Sequence, residues 1–319
     1  MSKLKPFAFG AFSGLAGILG LKSYLQYRQD LAVAAQRIKA QAQMLETSTG
    51  RIVYSASGTG PAVLVIHGAG GSFDQALHVA QIFGSGFQWI APSRFGYLGS
   101  DLPENASPEA QADAYVALLD ALEIERVPII GISAGGPSAI QFALRHPERC
   151  LGLVLVAAVS QAMIDVIANP DLMERIFDFS LSSDWPVWFG LQLAIHNLRP
   201  PLGVPAQVFR QMDAVDKAWL HTLLAYELPL QPRRVGLVND FATIIRLGVY
   251  PLEEIQCPTL VIHAQDDSLV SIKHGRFSAK YIPRSRLVEL PSGGHLLLGQ
   301  RERVKTEVGR FLQEITDQE

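Results

Sequence analysis

An α/β fold, with a mostly parallel sheet carrying helices on both faces, a helical cap and a leading apolar helix, is predicted by three features of this sequence. From residue 50 onward, short apolar runs rich in β-branched residues alternate with stretches at helical packing spacing. Strands joined through helices run parallel, and a parallel sheet is buried on both faces. Between about residues 160 and 248 the alternation lapses into helix-like sequence without an obvious strand. Before residue 50 the chain differs again, apolar first and then helical. These changes divide it into an N-terminal segment over 1–49, a core over 50–159, a helical insertion over 160–248 and a second part of the core over 249–319.

Composition narrows the function. Hydrophobic residues at 48% against 18% charged supply a large core and exclude wholesale disorder. With a net charge of -3 and no basic stripe interleaved with aromatics, there is no footprint for nucleic acid. Cys150 and Cys257 each abut an apolar run and read as buried free thiols, giving neither a disulfide framework nor a metal site.

In the N-terminal segment, Lys3 and Lys5 precede fifteen uncharged residues, Phe7 to Leu21, closed by Lys22. As a helix this run spans about 22 Å, short of a roughly 30 Å hydrocarbon core. Lys5 and Lys22 can snorkel, and Tyr24 and Tyr27 suit headgroup depth, so residues 4–27 are expected to form a single uncleaved membrane anchor. The alternatives are a cleaved signal peptide, which lacks its small-residue pair just after Leu21, and a soluble apolar helix packed on the domain. Secreted or cytoplasmic locations go with these. Positive charge nearly balances across the run, which leaves the side of the membrane open. Gly10, Gly14, Gly17 and Gly20 suit either helix pairing or a flexible segment, and the oligomeric state is open. Lys22 to Glu46, free of Gly and Pro, is expected to continue as a helical stalk.

The core elements follow in order. Arg51 to Ser55 alternates as a strand, Ser57 to Pro61 marks a turn, and Ala62 to Ile66 is a solid apolar strand. Trp89 to Ala91 precedes Pro92 and a glycine-rich loop, and Ser107, Pro108 and Glu109 open a helix through Leu122. Val127 to Ile132 and Leu151 to Ala158 are strands on either side of a helix. The insertion then brings Trp185, Trp188, Trp219 and the proline-rich RPPLGVP. Thr259 to Ile262 and Arg286 to Leu290 are further strands, and Glu302 to Ile315 closes as an amphipathic helix.

The chemistry concentrates at GISAG, Gly131 to Gly135, between the strand ending at Ile132 and the helix that follows. A serine on a sharp strand-to-helix turn needs neighbours without a Cβ two positions to either side. The turn lifts the Ser133 hydroxyl above the sheet, and the helix start aims backbone N–H groups at a developing oxyanion. A serine hydroxyl also needs a base and a group that orients the base. The run Val261 to Val270 offers two acids after a strand, Asp266 and Asp267, and Ser292-Gly293-Gly294-His295 offers a histidine after the last strand.

Four separated motifs, HGAGGS at His67 to Ser72, GISAGG at Gly131 to Gly136, HAQDDSLV at His263 to Val270 and GGH at Gly293 to His295, resemble those of the α/β-hydrolase superfamily with a helical cap. The resemblance runs from about Arg51 to the carboxyl terminus. It implies Ser133 as nucleophile, His295 as general base and Asp267 as the residue orienting it, preferred over Asp266 because the family's acid stands two residues before the apolar pair matched by Leu269 and Val270. By similarity the oxyanion hole combines the N–H of Ala134 with that of Ala69 or Gly70. His67 is expected to fix its loop. Pro92 to Ser100 resembles the family's loop after its fourth strand, with Ser93 where an Asp commonly stands, so the usual Asp-Arg pairing is lost and Arg94 is expected to be structural.

The implied reaction is acyl transfer to Ser133 followed by water attack, with no metal or organic cofactor required. A lipophilic carboxylic ester suits the Trp and Phe content of the insertion. Serine at the turn argues against epoxide hydrolases and haloalkane dehalogenases, which place Asp there. Carbon-carbon bond hydrolases remain an alternative, although Leu296 and Ile132 stand where many of them have Trp and Asn. Amidases or peptidases that hold a substrate amine need cap acids, for which Glu174, Asp178, Asp184 and Glu227 are available. A ligand-binding protein with a spent triad is the reading of a different class.

Overall fold

The computed structural model describes residues 7–163, 182–196, 198, 200–201 and 203–317, with side chains from residue 20. Its strands are β1 (Gln43–Thr47), β2 (Gly50–Ser57), β3 (Ala62–Ile66), β4 (Gln88–Pro92), β5 (Val127–Ile132), β6 (Cys150–Val156), β7 (Thr259–Ala264) and β8 (Ser285–Leu290). They form one sheet in the order β1-β2-β4-β3-β5-β6-β7-β8. The β1–β2 and β2–β4 pairs are antiparallel, and the remaining pairs are parallel.

Helices over the described residues are α1 (Phe7–Gln41), α2 (Phe73–Ala80), α3 (Pro108–Ala121), α4 (Gly136–Arg145), α5 (Asp184–Ile195), α6 (Ala206–Gln211), α7 (Ala214–Ala225), α8 (Arg234–Ile245), α9 (Ile272–Tyr281) and α10 (Arg301–Thr316). The period-2 pattern of the central strands divides the core between the faces. Val63, Val65, Ile130, Val154, Leu260 and Ile262 pack with α2 and α10. Their alternates Leu64, Ile66, Ile129, Leu153, Leu155 and Val261 pack with α3 and α4. Helices α5 to α8 lie between β6 and β7 in the chain, and Phe209, Trp219, Leu220 and Leu223 extend the α2-side core into these helices.

Two N-terminal expectations change. The stalk does not run on as helix to Glu46: α1 ends at Gln41 and Gln43–Thr47 pairs with β2. Thr47 Oγ1 donates to the Gly50 carbonyl and accepts from Thr49 N–H, closing the hairpin, and Gly50 takes φ +107. Nor is the spanning anchor over residues 4–27 met, because among the described residues no helix is long and apolar enough to cross a membrane. Over its second half α1 docks on the body. Ala34 is buried against Trp188 and Leu228. Trp188 Nε1 donates to Asp30 at 2.7 Å, and Arg37 donates to Asp74 at 3.1 Å and to the Leu228 carbonyl at 2.9 Å.

Candidate active site

Ser133 follows β5 directly and has φ +50, a left-handed conformation that a serine holds only when its surroundings impose it. Its flanking glycines supply room, as anticipated. A Cβ on Gly131 would lie 2.7 Å from that of Ala139, and one on Gly135 would lie 2.7 Å from the carbonyl oxygens of Ile66 and His67. Seating α4 this tightly on β3 presents the hydroxyl at the carboxyl end of the sheet. The Ser133 carbonyl accepts from Val159 N–H at 2.9 Å, which fixes the plane of the peptide that carries the Ala134 N–H.

Ser133, His295 and Asp267 meet. His295 Nε2 lies 3.0 Å from Ser133 Oγ, and His295 Nδ1 lies 2.8 Å from Asp267 Oδ2. Burial acts to raise the Asp267 carboxyl, but donors from His263 and His295, the His295 charge and Val270 N–H outweigh it and hold the group well below the usual carboxylate range. Asp267 is therefore an acceptor, so Nδ1 of His295 carries the proton and Nε2 is free to receive one from the serine. The spacing to the apolar pair has a physical basis: Asp267 Oδ1 accepts from Leu269 N–H at 2.9 Å and Val270 N–H at 3.0 Å. Asp266 turns the other way and accepts from Gly294 N–H at 2.9 Å and Gly293 N–H at 3.3 Å, tying down the histidine loop. From the insertion, the Gly203 carbonyl accepts from His295 N–H at 2.7 Å.

On the facing loop, Ala69 is half-buried, whereas the Gly70 N–H is taken by the Tyr97 hydroxyl at 3.3 Å. That separates two donors the sequence left equivalent. His67 fixes the loop as expected. Its Nε2 accepts from Arg94 N–H at 3.0 Å, so Nδ1 is the donor to the Gly68 carbonyl at 2.7 Å. Burial, reinforced by the Arg94 charge, pushes the His67 ring well below its ordinary range and keeps it neutral.

Arg94 is buried, and in place of an aspartate at position 93 it pairs with Asp240 of α8, its two nitrogens 2.5 and 2.6 Å from the carboxylate oxygens. Ser93 itself bonds Ser72 at 2.5 Å. Asp240 also accepts from the Tyr97 hydroxyl at 2.5 Å. Sequence reasoning did not find Asp240, Tyr97 or His263. The missing aspartate was the available signal for the first, since a buried guanidinium requires a carboxylate from somewhere. For His263, whose Nε2 lies 3.3 Å from Asp267 Oδ2, the signal was its place four residues before that acid.

Of the four cap acids, Glu174 and Asp178 lie outside the described residues. Asp184 accepts from Leu230 and Gln231 N–H and is a local clamp. Glu227 is half-buried beside the loop that carries Gly70. It accepts from Gln75 at 2.5 Å, and a Cβ on Gly70 would approach its Oε2 to 2.7 Å. Burial raises its pKa against the opposing pull of Arg233 and Gln75.

A family model described as alpha/beta hydrolase fold matches residues 61–302. The chain is 27% identical over 283 residues to an uncharacterized hydrolase of Bacillus subtilis, covering 84% of this chain and 96% of that protein. It is also 27% identical to a 2-hydroxymuconate semialdehyde hydrolase of a Pseudomonas species, covering 81% and 89% respectively. Among solved structures, an alpha/beta hydrolase fold protein from Nakamurella multipartita is 29% identical with a TM-score of 0.68, covering 85% of this chain and 99% of that one.

Proposed function

Because this chain belongs to the alpha/beta hydrolase fold family, we propose that it is a serine hydrolase acting on carboxylic esters through Ser133, His295 and Asp267. The observation carrying this reading is the continuous contact from Ser133 Oγ through His295 to Asp267, at 3.0 and 2.8 Å. His295 Nε2 takes the hydroxyl proton as Ser133 Oγ attacks the ester carbonyl carbon. The carbonyl oxygen becomes an oxyanion and is received by the N–H groups of Ala69 and Ala134. Collapse breaks the bond to the alcohol, which leaves with the proton held by His295. Water then loses a proton to His295 and attacks the acyl carbon; collapse breaks the bond to Ser133 Oγ, which takes the proton back from His295 as the acid leaves. The apolar insertion favours a lipophilic ester.

Ser133→Ala removes the nucleophile, and hydrolysis of p-nitrophenyl esters from acetate to palmitate is expected to fall by about 10⁴-fold or more. A variant that keeps its rate would sink the assignment. Similarity to the 2-hydroxymuconate semialdehyde hydrolase supports a second reading, carbon-carbon bond hydrolysis. Turnover of a 2-hydroxy-6-oxo dienoate by unlabelled enzyme that turns over no ester, although a fluorophosphonate labels its Ser133, would put that reading first.

A further inference from the structure

We propose that Asp240, on the cap helix α8, is a positioning residue that sets the aim of the Ala69 oxyanion donor, tying the oxyanion hole to the seating of the cap. This inference rests on the serine-hydrolase reading above.

In a trans peptide the carbonyl and the following N–H point in opposite directions. The Gly68 carbonyl is held by His67 Nδ1 at 2.7 Å, Arg94 Nη2 at 3.1 Å and Gly71 N–H at 3.3 Å. Fixing that oxygen fixes the direction of the Ala69 N–H on the far side of the same plane. Arg94 also reaches the Ala134 carbonyl at 3.4 Å, so one guanidinium touches both walls of the oxyanion site. What holds the guanidinium is the Asp240 carboxylate, through two bonds in a buried setting where such pairs are strong. Its Oδ2 also takes the Tyr97 hydroxyl, whose oxygen accepts the Gly70 N–H and keeps that donor turned away.

The geometry of α8 makes this reach possible. Gly236 lies flush on the Tyr97 ring with no room for a Cβ, and its N–H donates to the Gly96 carbonyl at 3.1 Å. One turn later, on the same face of the helix, comes Asp240. A cap displaced from this seat takes the carboxylate with it.

A donor aimed at the oxyanion acts in the transition state and little in the bound ester, so its loss falls on kcat. Asp240→Asn is expected to lower kcat for p-nitrophenyl butyrate by about ten- to a hundredfold, with KM changed less than about threefold. The matched thionoester tests the cause. Sulfur is a weak hydrogen-bond acceptor, so the oxygen ester loses more than the thionoester and the oxygen-to-sulfur rate ratio narrows; Asp240→Glu restores part of it. Equal losses on both esters, a loss carried by KM, or an unchanged kcat would overturn the proposal. Should Asp240→Asn fail to fold, Tyr97→Phe removes one bond of the same relay without stranding a charge. A smaller narrowing is expected there, and an unchanged ratio overturns the proposal. If instead Ser133→Ala turns over the ester as fast as wild type, the serine-hydrolase reading falls and takes this one with it.

Discussion

Asp266 and Asp267 are adjacent carboxylates with separate attachments, one to the glycines before His295 and one to the imidazole itself. Replacing either by asparagine removes the charge and keeps the shape, yet the consequences differ in kind. Asp267→Asn takes away the acceptor that selects the histidine tautomer, and kcat is expected to fall about 10⁴-fold with the fold intact. Asp266→Asn only loosens the loop carrying the histidine, so a loss nearer tenfold is expected, on the scale of a small misplacement. Steady-state kinetics of the two variants side by side checks this, and comparable losses would contradict it. Asp267 was separated from Asp266 in the sequence only by its spacing to Leu269 and Val270, whose N–H groups donate to its Oδ1. Asp240 was not legible. It resembles any other acid on an amphipathic helix, and the arginine that gives it a role stands 146 residues earlier.

Among the elements, the central strands were the most legible, since both faces are buried and each strand therefore reads as an unbroken apolar run. β1 failed for the opposite reason. QMLET has good helix formers and an exposed Met44, and its extended form comes from pairing with β2 rather than from its own residues. Helices α5 to α8 fall in the stretch expected to be helical, but the sequence does not show how closely a loop there presses on His295. Gly203, at φ +77, leaves space that a Cβ would fill to within 2.5 Å of His295 Cβ and 2.8 Å of Leu269 Cβ. Gly203→Ala is strained in its backbone and crowded at both contacts, so His295 must shift. A kcat loss of roughly tenfold to a hundredfold is expected. Rates measured alongside near-UV circular dichroism separate a displaced histidine from a lost fold, and a fully active alanine variant would contradict this contact.

For the molecule as a whole, acid sensitivity follows from histidines kept neutral in the core. Burial, with the His263 charge beside it, lowers His274 from 6.5 to about 4, and burial lowers His67 and His78 as well. These groups bind protons less readily folded than unfolded. As pH drops below 6.5 the unfolded chain takes up the proton first, so stability is complete above that value and declines towards about 4. For His274 the loss is at most about 3 kcal/mol. Its Nδ1 accepts from Ser160 N–H at 3.2 Å, which an asparagine amide oxygen can replace without titrating. His274→Asn is therefore expected to flatten the fall in Tm between pH 7 and pH 4.5, and an unchanged slope would refute the assignment. The docked N-terminal helix bears on the integrity of the whole chain in another way. Asp74 lies between Arg37 of α1 and Arg233 of the cap, with Glu227 close by. A protease cutting between α1 and β1 and freeing the helix would leave Arg233 facing two carboxylates. Since Arg233 also holds the Gly70 carbonyl at 3.3 Å, such a nick at the periphery would register at the loop proposed to receive the oxyanion.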